Sequence, residues 1–148
     1  MNFHVQPASI QQAAAIAALT TELVYQADAN AIEQRLHRLL GRNDQLVLVA
    51  ITRDQTICGW LHAQANVVLE SGFRVEIVGM IVAKAMRRAG IGRKLVAEAE
   101  RWAAALGAET LVVRSNLKRV ESHAFYPALG YRETKTQRVY RKNLSPPQ

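Results

Sequence analysis

A chain of 148 residues with 49% hydrophobic and 21% charged side chains has the balance of one folded domain with enough apolar surface for a buried core. Its net charge of +7 favours phosphate-bearing and other polyanionic ligands. No apolar run approaches the roughly 20 residues of a membrane span, MNFHVQPASI lacks the basic-then-apolar order of a signal peptide, and the lone Cys58 and scattered His4, His37, His62 and His123 fit neither an internal disulfide nor a metal site. The expected compartment is the cytoplasm.

Along the chain, FHVQPA is a short extended start, and Ser9 followed by Gln12 forms a capping-box pattern that opens a helix through about Leu23. A second helix starts near Asp28 or Asn30. Its Ile32, Leu36, Leu39 and Leu40 share one face, and Gly41 ends it. The period then changes. QLVLVAI reads as a buried strand, RDQT as a turn, ICGWLHAQANVVL as a longer strand, and SGF as a turn into RVEIVGMIV. After a glycine loop comes a helix with Ile91, Leu95, Ala99, Trp102, Ala103 and Leu106 on one face and Gly107 as its cap. ETLVVRSN is a strand, ESHAFYPALG a short helix, RETKTQRVYRKNL a final strand and SPPQ a tail. The expected fold is a single α/β (α+β) domain over residues 1–144, with 145–148 as a tail. Its mixed central sheet is flanked by helices in the order β-α-α-β-β-β-α-β-α-β. Hairpin-length turns predict antiparallel pairing in the first half, and the crossover helix predicts a parallel pair later.

The glycine loop, RRAGIG at 87–92, lies at a strand-to-helix junction between arginines. A helix start leaves its first amides unpaired beside the positive end of its dipole, and glycine lets a phosphate approach the backbone. The dinucleotide fingerprint fails because Leu95 stands where its third glycine belongs, and no G-x-x-x-x-G-K-[ST] is present. Two readings remain for the glycines alone: a turn that admits close strand–helix packing, or an anion site.

The wider pattern resembles the GCN5-related N-acetyltransferase (GNAT) superfamily. Its [QR]-x-x-G-x-[GA] signature is met by Arg87, Gly90 and Gly92, its strand-ending asparagine by Asn116 in VVRSN, and its F-Y-x-x-L-G-[FY] helix by FYPALGY at 125–131. Lys84 and Arg88 depart from the proline and glycine often found there. The resemblance implies direct transfer of an acetyl group from acetyl-CoA to a primary amine of a small molecule or peptide, with no metal. It gives the pyrophosphate to the loop amides from Arg88 through Ala89, Gly90, Ile91 and Gly92 to Arg93, with Arg87 adding charge. The pantetheine arm goes to backbone near Met80, Ile81 and Val82 and to Asn116, an amide near Met80 is a donor to the developing oxyanion, and Tyr126 is the acid for the departing thiolate.

Glu76, a carboxylate inside an apolar strand, is the candidate base, and a solvent-facing position on an alternating strand is the other reading. Glu22 and Tyr25, in TELVYQAD, are candidates for the amine acceptor, although a solvated helix end explains them equally. The alternatives to an enzyme are a basic nucleic-acid or partner-binding protein and a non-catalytic CoA sensor. No recognition helix or aromatic-interleaved basic strand stands out, so nucleic acid is not an expected partner. No membrane partner is expected either. A homodimer through the C-terminal strand and a monomer are both compatible with the sequence.

Overall fold

The computed structural model describes residues 2–114 and 120–145, with the side chains of 120–122 set aside, and these residues fall into two units that divide after Arg114. In the first unit, β1 (Phe3–Pro7) leads through a 3₁₀ turn (Ile10–Gln12) into α1 (Ala13–Leu23) and α2 (Ala29–Leu39). There follow β2 (Gln45–Thr52), β3 (Ile57–Val68), β4 (Gly72–Val82), a second 3₁₀ turn (Lys84–Met86), α3 (Ile91–Leu106) and β5 (Thr110–Val113). The sheet order is β1-β2-β3-β4-β5, with β1 to β4 antiparallel and β5 parallel to β4. Both expected pairings are therefore present.

Side-chain alternation sets the layers. A Cβ added at Gly59 would meet Ile91 and Leu95 of α3, whereas the next residue, Trp60, donates its indole N–H to Thr20 Oγ1 of α1 at 3.0 Å. Adjacent strand residues point to opposite faces, so α3 covers one side of the sheet and α1 the other. Leu61, Ala63, Val75 and Ile77, which share the Gly59 side of the sheet, are buried, as are Ile91, Leu95 and Ala99 of α3. The opposite core joins Ala13, Ile16, Leu36, Val47, Val49 and Ile51, with Ile32, Leu39 and Leu40 packed against it, the face expected for α2. Asp28 Oδ1 accepts from the Asn30 amide at the start of α2. The helix at the N-terminal end begins slightly later than expected: Gln12 Oε1 accepts from the Ser9 amide at 2.8 Å, but the capped turn is 3₁₀ and α1 follows it.

The second unit contains α4 (Val120–Ala128), where the expected short helix stands. Pro127 sits in its last turn, and the chain closes with the Leu129 and Tyr131 amides donating to the Tyr126 carbonyl at 3.0 and 3.1 Å. The expected final strand is not formed, since residues 131–144 carry no regular element. RETKTQRVYRKNL is dominated by charge, and its apolar Val139, Tyr140 and Leu144 are 84–90% exposed, so the segment has no apolar face that pairing would bury.

Candidate active site

β4 is the strand at which the sheet opens. It pairs with β3 from Gly72↔Val68 to Val82↔Gly59, but β5 accompanies it only from Arg74 to Ile77. At that point the register skips: His62 lies opposite Gly79 and Ala63 opposite Ile77, which leaves Val78 as an extra residue in β4. A bulge of this kind bends a strand away from its neighbour. From Val78 to Val82 the far edge of β4 has no strand beside it among the described residues. Met80, Ile81 and Val82 lie on that open edge, where an extended, amide-bearing ligand can add as a further strand would.

Beyond Val82 the chain turns into α3. The Arg87 amide donates to the Lys84 carbonyl at 3.3 Å, the Ala89 amide to Met86 at 3.3 Å, and the Lys94 amide to Gly90 at 3.0 Å as the first helical bond. The amides of Ile91, Gly92 and Arg93 are thus the open donors of the helix start, joined by those of Arg88 and Gly90, which have no backbone acceptor among the described residues. This corrects the expectation of an unbroken run of free amides from Arg88 to Arg93: the Ala89 amide is engaged in a turn. Gly90 is left-handed with φ +87° and Arg88 with φ +70°, and such changes of handedness gather successive N–H groups into a concave anion cradle. A Cβ at Gly90 would have no atom within 4 Å, so the mouth of the cradle is open. The side chains of Arg87, Arg88 and Arg93 are exposed around it, while Ile91 is buried in the core.

On the α1 face, a cavity of about 570 Å³ reaches the bulge at Val78 and Gly79. Trp60 and Leu36 are among its walls, and Tyr25, Gln45 and His62 are among its polar groups. Tyr25 is carried there by the α1–α2 connection, which Thr21 fastens: its Oγ1 accepts from the Ala27 amide at 2.9 Å. His62 is hydrogen-bonded through Nε2 to Gln45 Oε1 at 2.8 Å, and burial lowers its proton affinity. With the amide oxygen as acceptor, Nε2 carries the proton and Nδ1 keeps a lone pair.

Glu76 shares this sheet face. It lies opposite Gln64, two residues along β3 from His62, and is only 9% exposed. Its Oε2 accepts from Arg114 Nε at 3.1 Å, and its Oε1 lies 3.7 Å from Arg74 Nη2. The solvent-facing reading is therefore wrong. Burial of the carboxylate is accompanied by two guanidinium partners that the strand's sequence did not disclose.

A family model described as "Acetyltransferase (GNAT) family" matches residues 11–131. The chain belongs to the GNAT family. An aminoglycoside N(6')-acetyltransferase type 1 of Acinetobacter genomosp. 13 is 30% identical over 115 residues, 75% of this chain and 79% of that protein. An aminoalkylphosphonate N-acetyltransferase of Salmonella typhimurium is 33% identical over 122 residues, 78% of this chain and 73% of that protein. The crystal structure of the aminoglycoside 6'-N-acetyltransferase AAC(6')-Ih from Acinetobacter baumannii superposes with a TM-score of 0.83 at 25% identity, covering 97% of this chain and all of that one. This GNAT protein is an N-acetyltransferase that uses acetyl-CoA to acetylate amines. The open edge and cradle fit that donor: a pantetheine arm has amides for a strand edge, and its phosphates suit backbone N–H groups at a helix start.

The structure brings Met80, Ile81 and Val82 into one continuous stretch with Arg87, Arg88, Gly90, Gly92 and Arg93. Tyr126 belongs to the second unit, where its ring makes edge contacts with Phe125 and Tyr131 at centroid distances of 5.0 and 6.0 Å. Asn116 lies outside the described residues. Tyr25 lines the cavity, but Glu22, exposed on α1, does not. Val78, Gly79 and His62 were not among the site residues expected from the sequence. A glycine inside the apolar run VEIVGMIV was the available signal for the bulge; nothing local marked His62. Among the described residues no helix is long and apolar enough to cross a membrane, and no cluster of three or more His, Cys, Asp or Glu side chains is placed to hold a metal ion.

Proposed function

We propose that this acetyltransferase binds acetyl-CoA along the β4 edge and the Gly90 cradle and transfers the acetyl group directly to a small primary amine in the cavity beside the bulge. The observation that carries this reading is the halt of the β4–β5 ladder at Ile77, at the point where Val78 bulges toward the cavity. One strand thereby serves a donor groove along its open edge and an acceptor cavity on its face. Acetyl-CoA, when bound, supplies an activated thioester. The backbone of Met80, Ile81 and Val82 would hold its arm, joined by Asn116. The free amides of Arg88, Gly90, Ile91, Gly92 and Arg93 would hold its phosphates, with the Arg87 side chain and the residues flanking Ala89 shaping the cradle.

Attack requires a neutral amine, so a proton must leave the alkylammonium form. Glu76 accepts it through water in this reading, its two arginines fixing the carboxylate's orientation. A carbon–nitrogen bond forms as the carbon–sulfur bond breaks, an amide near Met80 donates to the acetyl oxygen as charge develops there, and Tyr126 returns a proton to sulfur. The products are an N-acetylamine and free CoA. The similar proteins are named for aminoglycosides and aminoalkylphosphonates, which supports a small-molecule acceptor over a protein one. Residues 1–144 act as one catalytic domain in this reading, located in the cytoplasm. Calorimetric titration with acetyl-CoA, followed by thiol release with a panel of amines, tests it. Saturable binding with amine-dependent CoA release is expected, and absence of binding at micromolar protein overturns it.

A further inference from the structure

The cavity that would take the amine is cationic. Arg35 and Arg38 of α2 line it, one helical turn apart, as does Arg42 just beyond the helix, and no carboxylate lines it among the described residues. Arg42 is already neutralised: its Nε and Nη2 donate to the two oxygens of Asp44, both at 3.0 Å. Arg35 and Arg38 have no ion-pair partner among the described residues. Leu36 is buried and anchors the helix to the core, while Arg35 and Arg38, both exposed, line the cavity from that anchored element.

The geometry points to an acceptor amine that carries an anionic group, a carboxylate or a phosphonate, which Arg35 and Arg38 bind while the amine faces the bulge at Gly79. This rests on the acetyl-transfer reading above and names the acceptor class for it. A polycationic acceptor would have to place its ammonium groups beside guanidiniums with no carboxylate on the wall to receive them. An anionic acceptor meets paired, charge-assisted hydrogen bonds instead. The same positive field disfavours a charged ammonium on the ligand and so increases the share of neutral amine able to attack. Tyr25 and Gln45 add neutral donors to the cavity lining.

The test is CoA release at saturating acetyl-CoA with a matched set of amines: ethanolamine, β-alanine, 2-aminoethylphosphonate and spermidine. One of the two anionic amines is expected to exceed ethanolamine in kcat/KM by about tenfold or more, the scale of one charge-assisted contact. The arm that responds separates carboxylate from phosphonate. In Arg35→Gln/Arg38→Gln that preference is expected to collapse toward ethanolamine's value, and in Arg35→Lys/Arg38→Lys to persist in part. Circular dichroism and acetyl-CoA titration of each variant confirm a folded, donor-competent protein. Preference for spermidine or ethanolamine, or an anion preference unchanged in the glutamine variant, overturns the inference and leaves acetyl transfer standing. Release of CoA with none of the four, despite acetyl-CoA binding, overturns the anionic-acceptor inference, whereas absence of acetyl-CoA binding overturns the donor-site reading beneath it.

Discussion

Gly90 separates backbone geometry from charge in the donor site, because two substitutions share one effect and differ in the other. Its φ of +87° is left-handed, so any residue with a Cβ is strained there by about 1–2 kcal/mol. The Cβ itself meets nothing within 4 Å, so no steric clash adds to that. Gly90→Ala and Gly90→Glu should therefore lose similar stability, and for a chain of this size each kcal/mol lowers Tm by about 2–4 °C. Only the glutamate brings a negative charge to the mouth of the cradle. At a separation of about 6 Å, repulsion of one phosphate charge is ~0.7 kcal/mol in water-like surroundings and ~3 kcal/mol at an effective dielectric constant of 20. Gly90→Glu should thus bind acetyl-CoA about 3- to 100-fold more weakly than Gly90→Ala. The gap should narrow in high salt. Calorimetric titration of the three proteins with acetyl-CoA, beside their melting curves, measures both effects. If the two variants bind acetyl-CoA equally well, the pyrophosphate does not sit at Gly90 and the cradle assignment is wrong.

Other consequences follow from the packing and the charges. Glu76→Gln leaves Arg74 and Arg114 without their shared anion, which should cost about 1–3 kcal/mol in a denaturant titration; kcat should fall about 100-fold or more, with acetyl-CoA affinity retained. A variant that melts earlier but turns over normally would make Glu76 purely structural. His62 binds protons less readily folded than unfolded, so the unfolded chain takes up more protons as pH falls below about 6.5 and stability is lost in that window. The decline in Tm on acidification should be shallower in His62→Gln than in the parent, and identical slopes would sink the assignment. Burial raises the Cys58 thiol above its ordinary pKa, and its Sγ lies 3.4 Å from the Ala50 carbonyl oxygen, so iodoacetamide should label it only as fast as the protein unfolds. Gly59→Ala would put a Cβ 3.1 Å from the Ile81 carbonyl and 3.2 Å from Ile91 Cγ2, crowding the seat of α3 on the sheet at about 1–3 kcal/mol. A Tm equal to that of the parent would contradict the packing described for α3.

What the sequence disclosed depended on how local the determining physics was. α3 was legible because its apolar stripe, its starting glycines and Gly107 act within one element: Ile91, Leu95, Ala99 and Ala103 are buried as its period required, and Gly107 adopts the left-handed cap with φ +83°. Trp102 and Leu106 lie further from the core, because the stripe is narrower than its apolar membership. The sense of strand pairing was legible for a similar reason, since short turns join antiparallel neighbours and a crossover helix joins a parallel pair. The partners of Glu76 were not legible. Arg114 meets it only through the parallel register Glu76↔Val112, which brings residues 38 apart in sequence onto one face. RETKTQRVYRKNL misled in the opposite direction, because β-branched and aromatic residues suggested a strand while the charges around them left nothing to bury.

The acceptor cavity combines both situations, which is why its charge was invisible in the sequence. Arg35 and Arg38 read as ordinary polar-face residues of an amphipathic helix, and on α2 alone that description is correct. They acquire a role only because Leu36 and Ile32 dock the helix against β2, while the bulge at Val78 brings β4 to the same cavity from the other side. In the proposed reading, the donor half of the site rests mostly on backbone, with glycines, an open strand edge and a helix start within residues 78–93, joined by Asn116 and Tyr126 from further along the chain. The acceptor half is written in side chains that arrive from α1, α2, β2 and β3. Substitutions at Arg35 and Arg38 can therefore change which amine is taken without disturbing the bonds that hold the Gly90 cradle, whereas substitutions in residues 78–93 alter donor binding whichever amine is present. In the proposed reading, donor binding and acceptor choice are separable because one bulged strand presents its edge to the first and its face to the second.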